Sequence, residues 1–184
     1  MAYNSTIHRR RSIRLQNYDY SSEGAYFITI CTHKKECILG EVVEGEARLS
    51  DIGTVALQCW LDIPNHFENV ELDVCVIMPN HVHGIIIIHS VGAQYIEPLL
   101  HKYQSNKFRH VIPRSVGSII RSYKAAVTRQ CHRTGVGQFR WQRNYYEHVI
   151  RGDNDLNAIR NYILYNPLKW FLDEENTEKI VEEK

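Results

Sequence analysis

Residues 78–88 read MPNHVHGIIII, and this stretch decides the fold. Pro79 cannot donate to a strand ladder, so Met78-Pro79-Asn80 ends the alternating run before it, VELDVCVI at 70–77. HVHGIIIIH, at 81–89, is strand-like again, and the short break makes the two antiparallel neighbours. Four consecutive isoleucines make the second a central strand. Residues i and i+2 of a strand point the same way, about 6.6 Å apart along the chain. His81 and His83 are therefore neighbours on one face, with Val82 and Gly84 on the other. Two imidazoles so placed can reach one metal ion or donate to one phosphate. A bare His-x-His also fits two rings satisfied by backbone carbonyls. Gly84 removes a side chain just after the pair, which lets another group come close.

Outward from this strand, AYFITICTH at 25–33 is apolar on both faces and reads as a second buried strand. The Glu44-Gly45 pair, just after Val43 and close before Ala47, suggests a hairpin turn. Ser50 can cap a helix over 51–66, with Ile52, Val55, Ala56, Cys59 and Trp60 on one face and Pro64 near its end. Residues 90–114 are mixed and without period, which suits a long loop. SVGSIIRSYKAAVTRQCHR then predicts a helix with Ser115 as N-cap, ended by Gly135 and Gly137. FRWQRNYYEHVIR at 139–151 is dense in aromatics and arginines. A last helix starts at Gly152-Asp153-Asn154, turns Leu156, Ile159 and Ile163 inward, and stops at Asn166-Pro167. Antiparallel strands covered by a few helices give an α+β domain.

A hydrophobic fraction of 43% and a charged fraction of 23% suit a soluble globular domain, not a disordered or membrane-spanning chain. The longest aliphatic run, Ile85 to Ile88, is far too short to cross a bilayer. With no leader-like opening, the chain reads as cytoplasmic. Five cysteines form no Cys-x-x-Cys pair, which argues against a disulfide framework or a zinc ribbon. The net charge of +1 hides an asymmetry. Residues 107–151 hold ten Lys/Arg and one acid, Glu147, whereas residues 173–184 hold six acids and two bases. Arg9, Arg10, Arg11 and Arg14 open the chain. Local fields of this kind favour a polyanion. The arginines and aromatics of 139–151 are the pairing that single-strand binders use.

On a helical wheel, Val116, Ile120, Tyr123 and Val127 share one stripe, so Tyr123 faces the sheet. Two readings are open: a core tyrosine, or a nucleophile on the sheet that carries the histidines. A phenol titrates near pH 10 and needs a cation or base to attack, a role open to Lys124 or a bound metal.

MPNHVHGIIII, IIRSYKAAVTRQ, WQRNYYEHVIR and IRNYILYNPLKW occur in that order. The ordered set resembles the single-tyrosine HUH transposases, and among these the REP-associated tyrosine transposases, over about Ala25 to Trp170. HUH denotes His, a bulky apolar residue, His; here it is His81-Val82-His83. The resemblance implies a central antiparallel sheet in a ferredoxin-like (HUH endonuclease) arrangement. It implies an enzyme that nicks single-stranded DNA with a divalent metal, Mg²⁺ or Mn²⁺, held by His81 and His83. The tyrosine attacks phosphorus, leaving a 5′-phosphotyrosine and a free 3′-OH that can rejoin strands, as transposition or repetitive-element mobilisation requires. The resemblance places the nucleophile in SYKAAVTRQ, at Tyr123. Insertion-sequence members carry a polar residue, often Gln, one helical turn after the tyrosine as third metal ligand. Here that position is Val127, which cannot ligate; Gln130, Glu147 and His148 are the alternatives.

The expected organisation is a basic N-terminal arm at 1–24, the transposase-like domain at 25–172 and an acidic tail at 173–184, disordered or a frayed helix. The expected partner is single-stranded or hairpin DNA, contacted by Arg121, Lys124, Arg140, Arg143 and Arg151, with no membrane and with monomer and homodimer both open. Two rival functions are a DNA-binding module of the same fold without catalysis, and an unrelated metal hydrolase built on the histidine pair.

Overall fold

The computed structural model of the protein describes residues 19–90, 112–136, 139–173 and 175–176. Four antiparallel strands form the main sheet: β1 (Gly24–Cys31), β4 (Val70–Ile77), β5 (His81–Ile88) and β6 (Tyr146–Ile150), in the order β4-β5-β1-β6. A hairpin, β2 (Gly40–Val43) with β3 (Glu46–Leu49), stands apart. α1 (Asp51–Leu61) lies between β1 and β4 in the chain, and α3 (Val116–Thr134) between β5 and β6. With α1 and α3 on one face, this connection and strand order are ferredoxin-like, as expected. α2 (Ile63–His66) is one turn, and α4 (Asp153–Tyr165) runs into a 3₁₀ turn at Pro167–Leu172.

Local chemistry accounts for the element ends. Ser50 Oγ accepts from Gly53 N at 3.1 Å, and Ser115 Oγ from Ser118 N at 3.3 Å, capping α1 and α3. Gly135 closes α3 at φ 74°, where a side chain is disfavoured. Glu44 and Gly45, at φ 54° and 81°, make the hairpin turn. The helix expected over 51–66 is split at Asp62, because Pro64 has no N–H to continue the ladder. β6 was not legible: in YEHVI two charged or ionisable residues interrupt the apolar run, and the edge position tolerates them.

Both faces of the sheet are covered. On one, Tyr26, Ile28, Val82 and Ile86 pack under α1 and α3 with Trp60, Val116, Ile120 and Tyr123. On the other, Phe27, Ile85 and Ile163 pack under α4 with Leu156 and Ile159. α4 is pinned to β4 by Arg160, whose Nη2 and Nε lie 2.6 and 2.8 Å from Asp73 Oδ2. His148 Nε2 meets Asp155 Oδ2 at 3.0 Å at the start of α4. Gly84 faces α1, on the side of the sheet away from the histidines. A Cβ there would lie 2.3 Å from Trp60 Cζ2, so the indole occupies the missing side chain's place.

Tyr20 is buried beside Tyr26, and its carbonyl accepts from Val116 N at 3.1 Å. Asp173, Glu175 and Asn176, expected in a frayed tail, fold back onto the domain. The arginines of 1–18 lie outside the described residues.

Candidate active site

β5 projects His81 and His83 toward the α4 face, with ring centroids 4.3 Å apart. Both are buried. Each is held through Nδ1. Asn80 donates its amide to the carbonyls of Glu175 (2.7 Å) and Lys35 (3.2 Å), which leaves its Oδ1 to accept from His81 Nδ1 at 2.8 Å. His83 Nδ1 pairs with Thr29 Oγ1 at 2.9 Å. Asn80 Oδ1 can only accept, so it keeps the His81 proton on Nδ1 and the Nε2 lone pair turned into the site. The Thr29 hydroxyl, in accepting from His83 Nδ1, leaves the second Nε2 lone pair in the same position. His81 Nε2 has no hydrogen-bond partner. Burial pushes the His81 imidazolium down to about 3, with the Lys35 charge adding to the shift. Burial and then His81 depress His83 well below the usual histidine range. Both rings are neutral near pH 7, the form that ligates a metal.

α4 brings the phenol. Tyr162 OH lies 3.3 Å from His83 Nε2 and 3.5 Å from Asp173 Oδ2. One turn later, Asn166 Nδ2 donates to the same Asp173 oxygen at 2.5 Å, while Asn166 Oδ1 is buried without a hydrogen-bond partner. Asp173 arrives because the 3₁₀ turn brings the chain back over β5, laying Trp170 5.9 Å from the His81 ring. The ligand atoms of His81, His83 and Asp173 all lie within 4.8 Å of one another. The arrangement combines two neutral imidazoles, a carboxylate, an unsatisfied amide oxygen and a phenol. It can hold a divalent cation and present a nucleophile beside it.

No family model matches the sequence. A Haemophilus influenzae protein, named only as uncharacterised, is 44% identical over 173 residues, which cover 94% of this chain and 96% of that protein. A second protein of that organism, named "Putative REP-associated tyrosine transposase", is 25% identical over 158 residues, 84% of this chain and 77% of its own. A solved structure of a REP-associated tyrosine transposase bound to a REP hairpin shares the fold at TM-score 0.56 and 18% identity, over 86% of this chain and 74% of that one. The chain is similar to REP-associated tyrosine transposases, in sequence to the second of these proteins and in fold to the solved structure.

Within this transposase-like chain the expected site residues divide. The structure brings His81 and His83 together as the spacing required. It does not bring Tyr123 to them. Tyr123 faces the sheet, but from the α1 and α3 side, with the sheet between it and the histidines. It is 2% exposed, its OH donates to Ala56 O at 3.2 Å, and it packs edge-on to Trp60 at 5.4 Å. Burial raises its phenol well above the usual range. The expectation that Lys124 assists it also falls, because Lys124 Nζ donates to the carbonyls of Gln142 (2.7 Å) and Asn144 (3.0 Å).

The third-ligand alternatives are elsewhere. Gln130 is on α3, and Glu147, opposite Ile28, points to the α1 and α3 face. His148 shares the histidine face but is engaged by Asp155. Tyr162, Asn166 and Asp173 were missed. Tyr162 and Asn166 had a signal in IRNYILYNPLKW: a tyrosine with a polar residue one turn on, the pattern that Tyr123 and Val127 break. Arg140 and Arg143 are exposed on the strand-entry loop beside the site, Arg151 is exposed at the far end of β6, and Arg121 is exposed on α3 across the sheet. No helix among the described residues is long and apolar enough to cross a membrane.

Proposed function

We propose that the chain is a metal-dependent nuclease that nicks and rejoins single-stranded or hairpin DNA, with Tyr162 as its nucleophile. The observation that carries this reading is the Tyr162 hydroxyl 3.3 Å from His83 Nε2, on the same side of the sheet as His81 and Asp173. The donor set fits a divalent cation. Two imidazole Nε2 atoms are freed by their Nδ1 partners, and the Asn166 Oδ1 and Asp173 carboxylate supply the oxygens that Mg²⁺ or Mn²⁺ prefers. Bound there, the cation supplies charge neutralisation on the scissile phosphate.

The remaining chemistry belongs to the side chains. Packing of α4 on β4 and β5 fixes the Tyr162 ring, edge-on to Phe27 at 6.0 Å, which favours in-line attack. The phenol proton passes to Asp173 Oδ2 as the tyrosine oxygen bonds to phosphorus. The bond from phosphorus to the 3′ oxygen breaks, and that oxygen leaves with the bonding pair and takes a proton from solvent to become the free 3′-OH. The 5′-phosphotyrosine conserves the bond energy, so the 3′-OH can attack it and rejoin a strand without a nucleotide cofactor.

The test is incubation with labelled hairpin DNA carrying single-stranded flanks, with Mn²⁺, followed by adduct mapping. A denaturant-resistant adduct on the peptide containing Tyr162, absent in Tyr162→Phe, is expected. An adduct on Tyr123, Tyr145 or Tyr146, or one that survives Tyr162→Phe, overturns the assignment.

A further inference from the structure

A cavity of about 750 Å³ opens beside Tyr162, a size that suits a small ligand group. Its walls come from independent elements: Tyr146 from β6, Tyr165 from the end of α4, and Phe27 from β1. Tyr146 and Tyr165 are 42% and 52% exposed, unusual for large aromatic rings that core packing would otherwise claim. Tyr146 meets Phe27 edge-on at 6.2 Å. Gln142 and Asn144 place exposed amides at the mouth, and Lys169 adds an exposed cation. The acidic groups of the cavity lie on its other side, where Asp173 is engaged by Asn166 and Glu175 by Lys35.

The wall carrying Gln142 and Asn144 is held in place. Lys124 reaches round the sheet edge and donates to both of their carbonyls. Gln142 N donates to Cys31 O at 2.9 Å, and Trp141 bridges to Thr32. A preorganised wall lowers the ordering cost of a ligand.

Resting on the reading of this site as DNA-cleaving, we propose that the cavity seats one unpaired nucleobase next to the scissile phosphate, stacked on Tyr146 and Tyr165. Planar π-faces suit every base, and the two amides offer donors and acceptors to its edge. Lys124 is a positioning residue for this pocket, its cation spent on the two carbonyls.

The test uses Tyr162→Phe protein, so that binding is measured without covalent capture, and three probes of equal length and phosphate number. These are oligothymidylate, a fully abasic strand, and the abasic strand carrying a single thymine. The single-thymine strand is expected to bind like oligothymidylate, and both about 5- to 150-fold tighter than the abasic strand, the effect of one stacked base. Tyr146→Leu and Tyr165→Leu should collapse that gap, and Tyr146→Phe should keep it. Equal binding of all three probes overturns the pocket and leaves the DNA reading standing. No binding of any probe overturns both. A gap that survives both leucine variants puts the base elsewhere and overturns the proposal.

Discussion

Tyr123 and Tyr162 are both helical tyrosines whose rings pack toward the same four-stranded sheet, one from each side. Under α1 and α3, Tyr123 is sealed among Trp60, Trp141 and aliphatic side chains, and its hydroxyl is spent on one backbone carbonyl. Under α4, Tyr162 is 47% exposed and its hydroxyl stands between an imidazole and a carboxylate. The first environment makes ionisation of the phenol costly and offers no route for a phosphate. The second places acceptors within reach of the proton and leaves the ring edge open. A tyrosine facing a sheet is a candidate nucleophile only on the side where the sheet's polar side chains converge.

The comparison breaks most sharply in a pair of phenylalanine substitutions. Tyr162→Phe is expected to reduce the covalent DNA adduct below detection, while Tyr123→Phe leaves it near the wild-type level. Tyr123→Phe should instead cost about 1 kcal/mol of stability, the ordinary net worth of a buried hydrogen bond, read from denaturant midpoints. An adduct lost in Tyr123→Phe at full stability would reverse the assignment of the two faces.

Metal removal is the next largest effect. Chelation should abolish cleavage and Mn²⁺ should restore it. The thermal shift produced by Mn²⁺ should disappear in His81→Ala and His83→Ala. Asp173→Asn, which replaces a ligating carboxylate by a neutral amide, should weaken Mn²⁺ by at least about 10-fold, the lower end of the loss that follows even when the groups orienting metal ligands are altered. Metal titration by calorimetry reads all three.

Gly84→Ala probes the faces jointly, because the added methyl would meet the Trp60 indole. Overpacking of this kind costs about 1–3 kcal/mol. Urea unfolding measures it, and an unchanged midpoint would show that Trp60 moves freely.

The histidine face should also be the acid-sensitive one. His81 and His83 titrate lower when folded than when unfolded, so the unfolded chain binds more protons as pH falls through the ordinary histidine range. Stability should therefore be fully present above about pH 6.5 and decline below it. His83→Gln should flatten the decline between about pH 5 and 6.5, where few carboxylates titrate. Tyr123→Phe should leave the slope unchanged.

The smallest effect separates arginines on the two sides. Arg143→Ala, beside the site, should lower the salt slope of single-strand binding by about 0.7, the share of one phosphate. Arg121→Ala, across the sheet, should leave it unchanged. Equal slopes for the two variants would mean that the strand wraps both faces.

The fold was legible where signals were local. Ser50 and Ser115 as caps, the Glu44-Gly45 turn and the break at Pro79 are each set by a few adjacent residues, and the structure has them all. The histidine pair was legible because strand geometry alone puts His81 and His83 side by side. The face that α3 covers was not. β5 is buried on both sides, so its run of isoleucines has no polar alternation to mark an inside. The stripe through Val116, Ile120, Tyr123 and Val127 says that the helix packs on a sheet, not on which side of it. Asp173 was illegible for another reason. It sits in an acid-rich stretch that composition assigns to solvent, and only the 3₁₀ turn at Pro167–Leu172 delivers it to the histidines.

Trp60 and Gly84 lie on different elements but form one unit of information. The glycine in His-Val-His-Gly serves the opposite side of the sheet from the histidines, as the vacancy into which an indole fits. A graft of the His81–Ile88 strand into another scaffold would carry the two imidazoles but leave behind what lies flat against their backbone. The recipient would need a tryptophan at the matching point of its own covering helix. A chain that enlarges residue 84 should repair itself by shrinking residue 60, so Trp60→Phe is the first place to look for a suppressor of Gly84→Ala.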